Sequence, residues 1–152
     1  ILGIAAGPPQ CRESGGGPLP NRWLFKEEPG NYPFDRLLED GQAVWDGVRN
    51  NWAQKNLRSA EEGDEVLYYH TGRERSVVGI ARITTAPYPD PDDDGLVVVD
   101  IEPVERLAHP VTLAQIKAES CFAESPLVKM GRLSVVPLTA EQFRKVRTLA
   151  KG

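Results

Sequence analysis

The feature that most constrains this fold is the rhythm of the chain after residue 20. Strand-like runs and short capped helices follow one another without a repeated strand–helix–strand unit. Residues 22–25 read as a strand, with Trp23 and Phe25 on one face and Leu24 on the other. Pro33 opens a helix whose apolar stripe is Phe34, Leu37 and Leu38, and Gly41 stands where a left-handed glycine ends helices. Residues 42–46 read as a strand, and beyond Asn50 and Asn51 a short helix carries Trp52, Lys55 and Leu57. A turn at 62–64 leads into a hairpin of strands 65–70 and 76–84, joined by a tight connection over 71–75. A polar, proline-broken loop over 87–95 precedes a strand at 96–102. Thr112 with Gln115, and Thr139 with Gln142, have capping-box spacing and each starts a helix. Residues 127–129 and 133–136 read as short strands between them. Five to seven short strands flanked by short helices, without regular alternation, define an α+β chain built on a small closed or half-closed β-barrel. A doubly wound parallel sheet is not expected.

The 152 residues suffice for one domain. Residues 1–20 hold five glycines and four prolines and have no hydrophobic period, so they are expected to be a disordered extension outside a domain of residues 21–152. No apolar run reaches the roughly 18 residues of a membrane-spanning helix. Cys11 and Cys121 form no CxxC pair, and His70 and His109 stand alone, which excludes a disulfide framework, a zinc ribbon and an all-histidine metal site. The expectation is an intracellular, cytoplasmic protein with no membrane, metal or cofactor. The acidic run Asp90-Pro91-Asp92-Asp93-Asp94-Gly95 begins like a calcium loop, but the position that must be a bidentate Glu is Ile101.

Net charge is −4, which argues against broad affinity for nucleic acid, but it is unevenly spread. Residues 61–105 carry a balance of −9, whereas residues 106–152 carry +5. A chain so divided can turn one pole toward phosphates and leave the other in solvent.

Signatures of nucleophilic catalysis, phosphate loops and zinc hydrolases are absent. His70 ends a strand with no Ser or Cys near it in sequence, and reads as a structural histidine bonded to a loop carbonyl. The stretch Trp45-Asp46-Gly47-Val48-Arg49-Asn50 is richer. It supplies a flat π surface, a glycine for close backbone approach, polar groups for a base edge and a cation for phosphate. Trp45 is equally suited to a core and Asp46 to a turn cap. Lys26-Glu27-Glu28-Pro29, directly after a strand, places polar groups at a barrel mouth, although such a run also suits an exposed turn.

Six segments together resemble one family. Trp23-Leu24-Phe25-Lys26-Glu27-Glu28-Pro29 is similar to the WLxKSEP opening of EVE domains, and Trp45-Asp46-Gly47-Val48-Arg49-Asn50 to their WDGVRN motif. Tyr69-His70 resembles the FYH strand end, Val78-Gly79-Ile80-Ala81 the VGIA strand, Tyr88-Pro89-Asp90-Pro91 the YPDP loop and Arg132-Leu133-Ser134-Val135 the RLSV segment. The resemblance implies a PUA-like fold, related to YTH and ASCH domains, whose barrel pocket accepts a modified cytosine or adenine flipped from DNA or RNA. In that picture Trp45 is a wall of an aromatic cage. Lys26, Glu28, Asp46, Gly47 and Asn50 stand around its rim, Ser134 lies nearby, and Arg49 and Arg132 face the phosphate backbone. Val48, Tyr69 and His70, from the same motifs, complete the candidate ligand-binding set. Where the family continues with YQARN, this chain has Asn51-Trp52-Ala53-Gln54-Lys55, so Trp52 is the candidate substitute for the missing aromatic. The family is regarded as non-enzymatic. The alternative is a hydrolase acting on a modified nucleobase or nucleoside through Lys26 and Glu28.

Overall fold

A computed structural model describes residues 22–152; the expected extension over residues 1–20 lies outside the described residues. Seven strands form one mixed sheet. They are β1 (Arg22–Glu27), β2 (Ala43–Trp45), β3 (Glu65–His70), β4 (Ser76–Ile83), β5 (Tyr88–Asp90), β6 (Asp93–Thr112) and β7 (Val135–Leu138). The helices are α1 (Phe34–Asp40), α2 (Asn51–Arg58), α3 (Leu113–Lys117), α4 (Pro126–Lys129) and α5 (Ala140–Leu149), with a 3₁₀ turn at Ser120–Phe122.

The sheet runs β2-β6-β4-β3-β1-β7, with β5 paired to β6 off this path. Only the β1–β3 pair is parallel. Four strand spacings separate β2 from β1, about 19 Å in a flat sheet. Yet Phe25 of β1 stacks on Trp45 of β2 with ring centroids 4.9 Å apart. The sheet is therefore curled into a half-barrel, with bulges between Val77 and Gly79 and between Ile80 and Ala81 in the β4–β6 pairing to bend it. Helix α2 spans the remaining gap. Asn56 Nδ2 donates to the Val135 carbonyl of β7 at 2.8 Å, while the Gln54 side chain reaches Val97 of β6.

The α+β half-barrel matches the reading of the sequence, and four elements show the larger differences in extent or kind. Strand β6 is 20 residues long because Pro103 and Pro110 do not interrupt it; Pro103 sits at the bulged part of the β4 pairing. The loop expected over 87–95 holds β5 and the start of β6, closed by Asp90 and Asp93 side chains that accept the Asp92 and Gly95 amides. Residues 127–129 are helical: Ser125 caps the Leu127 amide, and Pro126 begins α4. The last strand starts at Val135, two residues later than expected.

Gly79 lies under α1. A Cβ at this position would fall 2.4 Å from the Phe34 ring, which is fully buried and held against Tyr68. Gly79→Ala is expected to lower stability by about 1–3 kcal/mol through overpacking, measured by denaturant unfolding. Asp64 is buried beneath the same sheet, where its Oδ2 accepts from Trp23 Nε1 and the Glu61 amide, each at 2.9 Å. Burial pushes its carboxyl from 3.8 up to about 6, against the opposing pull of those two donors. The folded state therefore holds a proton that the unfolded state releases between about pH 4 and 6, and the contribution of this group falls as pH rises through that window. Asp64→Asn removes the effect. Its stability relative to the native chain is expected to improve by about 2–3 kcal/mol between pH 4 and pH 7.

Candidate functional site

The interior of the half-barrel is filled by aromatic side chains. Trp45 stacks on Phe25 at 4.9 Å and meets Tyr68 edge-on at 5.6 Å; Tyr68 in turn packs on Phe34 at 5.4 Å and His70 at 5.9 Å. The Tyr68 hydroxyl donates to the Tyr32 carbonyl at 2.6 Å, and burial raises its pKa well above the ordinary phenol value. Trp45, expected to line an open cage, is 6% exposed and belongs to this stack. Its Nε1 is buried without an acceptor among the described residues.

His70 is structural, but its partners differ from the expected loop carbonyl. Its Nε2 accepts the Phe34 amide at 3.1 Å, which leaves Nδ1 to donate to Glu74 at 2.8 Å. An amide can only donate, so this pairing fixes the neutral tautomer and ties α1 to β3.

The segment after β2 is shaped by α2. Gly47 adopts φ 77°, the left-handed region that favours glycine. Val48 is buried, and its carbonyl accepts Gln54 Nε2 at 2.7 Å. Gln54 also donates to the Val97 carbonyl at 3.1 Å and accepts the Val97 amide at 2.9 Å, so one buried side chain fastens the segment to β6. Asn50 caps α2 through Oδ1, which accepts the Ala53 amide at 3.0 Å. Asp46 and Arg49 are exposed on the other side, toward the β5–β6 hairpin. Arg49 lies 4.0 Å from Asp93. The Tyr88 phenol is held up at about 12, first by its hydrogen bond to Asp100 and by burial, with the Asp46 charge a smaller contributor.

A cleft of about 310 Å³ opens beside the N-terminus of α2, lined by Asn50, Trp52 and residues 129–133. Trp52 is 48% exposed, the counterpart of the buried Trp45. Arg132 stands on the facing wall with its side chain in solvent. Alternation along β1 turns Phe25 to the inner face of the sheet and Lys26 to the outer one. From there Lys26 Nζ donates to the Gly131 carbonyl at 2.7 Å and lies 5.6 Å from the Tyr69 ring centroid. Burial draws the Lys26 ammonium below its ordinary pKa. The Lys26 amide donates to the Ser134 carbonyl at 2.9 Å, so the same residue holds the cleft wall twice. Glu28 is exposed in the following turn, where its carbonyl accepts the Asn31 and Tyr32 amides. Among the described residues no ion pair joins it to Lys26.

The structure thus brings Asn50, Trp52 and Arg132 to one cleft, with Lys26 and Ser134 behind its wall. Trp45, Val48, Tyr69 and His70 are buried, and Glu28, Asp46 and Arg49 lie outside the cleft lining. Sequence reasoning missed Lys129, Met130, Gly131 and Leu133 because residues 127–129 read as a strand. The Ser125-Pro126 pair was the available signal for a helix start. No group of three or more His, Cys, Asp or Glu side chains suited to a metal ion occurs among the described residues, and none of their helices is long and apolar enough to cross a membrane.

Gln54→Ala would strand the Val48 carbonyl and both polar groups of Val97. It is expected to cost about 2–4 kcal/mol in stability, by denaturant unfolding, and to speed amide exchange through residues 46–50.

Comparison with known proteins places this geometry. A sequence model of the EVE domain matches residues 21–149. Mouse thymocyte nuclear protein 1 is 29% identical over 90% of this chain and 76% of its own length. The solved structure of Rpa0253 from Rhodopseudomonas palustris is 40% identical, with a TM-score of 0.81 over 86% of this chain and 92% of that one. Human THYN1, solved in complex with 5-methylcytosine-containing DNA, is 25% identical, with a TM-score of 0.80 over 86% of this chain and 98% of that one.

Proposed function

The chain belongs to the EVE domain family, and from that premise we propose that it is a binding module for nucleic acid carrying a modified base, with 5-methylcytosine in DNA as the leading ligand. The observation that carries this reading is the shared fold with human THYN1, a protein solved with 5-methylcytosine-containing DNA. The cleft supports it from this chain's own residues. Its volume of about 310 Å³ falls at the small end of ligand sites, a size suited to one base. The exposed face of Trp52 is a stacking platform, and Asn50, whose Oδ1 is committed to the helix cap, keeps its amide donors for a base edge. Arg132 puts positive charge on the opposite wall, where Lys129 is paired with Glu124.

In this reading the base leaves its stack and lies against Trp52, outside the aromatic interior that Trp45 closes. Unstacking from a duplex costs a few kcal/mol and stacking on an aromatic returns about 1–3 kcal/mol, so polar contacts to the base decide selectivity. A net charge of −4 keeps attraction to unmodified sites weak. Binding is favoured over hydrolysis by Lys26 and Glu28 because the Lys26 ammonium is committed to Gly131 and the Tyr69 face, where it braces the cleft wall.

Fluorescence titration against single- and double-stranded DNA and RNA carrying cytosine, 5-methylcytosine, 5-hydroxymethylcytosine or N6-methyladenine tests the proposal, with Trp52→Ala alongside. The native chain is expected to prefer 5-methylcytosine DNA, and the variant to bind it about 5- to 100-fold more weakly while folding normally. Equal binding to every oligonucleotide, unchanged in the variant, would overturn the reading. So would release of a nucleoside product that Lys26→Ala abolishes.

A further inference from the structure

The turn between β3 and β4, residues 71–75, lies at the same end of the half-barrel as Lys26. The Thr71 amide donates to the Glu27 carbonyl at 3.0 Å, fixing the turn to the end of β1. On its other side the Arg75 carbonyl accepts the Leu113 amide at 2.8 Å. Three consecutive charged residues occupy it, Arg73, Glu74 and Arg75. The Glu74 carboxylate is drawn back to Nδ1 of buried His70 at 2.8 Å. Arg73 and Arg75 are exposed, and among the described residues neither guanidinium has an ion-pair or hydrogen-bond partner. The turn therefore presents two unpaired positive charges, and the half-exposed carboxylate between them is bonded back to His70.

Arg75 also has φ 39°, the one positive-φ residue other than glycine among those described. That conformation costs a side-chain-bearing residue on the order of 1–2 kcal/mol, which glycine would avoid.

From the turn, cations lead to the cleft. Burial raises the Tyr69 phenol pKa, and the nearby positive charge of Arg75 partly offsets the rise. Lys26 lies over the Tyr69 ring and bonds to Gly131, which with Arg132 lines the cleft. The opposite flank has the reverse polarity. Arg49 is matched by Asp93 at the tip of the β5–β6 hairpin, beside Asp90 and Asp92, whose charges repel phosphate.

We propose that Arg73 and Arg75 are a second contact for the nucleic acid, holding the phosphodiester backbone that flanks the base bound at the cleft, and that the strand leaves the cleft toward the β3–β4 turn. This rests on the reading of the cleft as a base site and assigns the backbone to the side away from Arg49. Two guanidinium groups on one turn suit bidentate contacts to successive phosphates. Such contacts carry no base information and act through counterion release.

The test is titration of 5-methylcytosine and unmodified DNA between 50 and 200 mM salt, comparing the native chain with Arg73→Ala/Arg75→Ala. Arg144→Ala/Arg147→Ala, on exposed positions of α5, removes equal charge elsewhere. The turn variant is expected to lose about tenfold or more in affinity for both DNAs at 100 mM salt, and its log–log salt slope to shrink by about 1.8, or 0.9 per phosphate released. The ratio of the two affinities should stay unchanged, and the α5 variant should keep the native slope. Arg75→Gly, which relieves the positive φ, is expected to show half the change in slope with no loss of thermal stability. A native slope in the turn variants, or an equal loss in the α5 variant, would overturn the backbone assignment while leaving the base site standing. Absence of DNA and RNA binding by the native chain would overturn both.

Discussion

The stack of Phe25 on Trp45 is the constraint from which the rest of the architecture follows. These residues belong to strands four spacings apart in the sheet, and their rings meet only because the sheet curls. Tyr68 and Phe34 complete the packing, and Gly79 leaves space for the Phe34 ring. Aromatic burial of this kind contributes more than its area alone, since offset and edge-on pairs add about 0.5–1.5 kcal/mol each. The curl also determines what α2 must do. It leaves a gap between the β2 and β7 ends, and Gln54 and Asn56 bridge that gap by bonding to backbone groups on both sides.

A filled interior leaves the proposed ligand to bind outside it. With Trp45 closed into the stack, the proposed site for a planar ligand is the cleft where α2 begins, and the accessible aromatic there is Trp52. Helix start and proposed stacking platform are thus one feature. The Asn50 cap that satisfies the first turn of α2 also fixes the angle at which Trp52 leaves it. Lys26 braces the opposite wall from behind, a contact between residues 105 positions apart that couples β1 to the cleft.

Much of the fold was legible in the sequence because it is written locally. The alternation of residues 22–25, the capping boxes at Thr112 and Thr139, and the glycine ending α1 each encode their element within one or two turns. Residues 127–129 were misread because Leu-Val-Lys has no distinguishing period, and the deciding groups, Ser125 and Pro126, precede it. The length of β6 was hidden by two prolines that a bulged strand tolerates. The site was less legible for a different reason. Trp45 and Trp52 are seven residues apart with the same chemistry, and only the curl of the sheet decides which is buried. The wall formed by residues 129–133 is defined by long-range packing and a carbonyl, neither of which leaves a pattern in side-chain types.

The uneven charge of the chain acquires a spatial meaning in this frame. The acidic middle segment supplies the β5–β6 hairpin, where Asp93 lies 4.0 Å from Arg49, while the later segment supplies Arg132 at the cleft. Arg73 and Arg75 are exceptions within the acidic segment, and they stand at the end of the sheet where Lys26 lies. A module that must ignore most of a polyanion gains from this arrangement. Overall negative charge weakens indiscriminate attachment, because each uncompensated phosphate contact would raise affinity for every sequence equally. In the proposed arrangement a few cations confined to one flank orient a strand without holding it, and discrimination is left to the cleft, where the difference between bases would be read at short range.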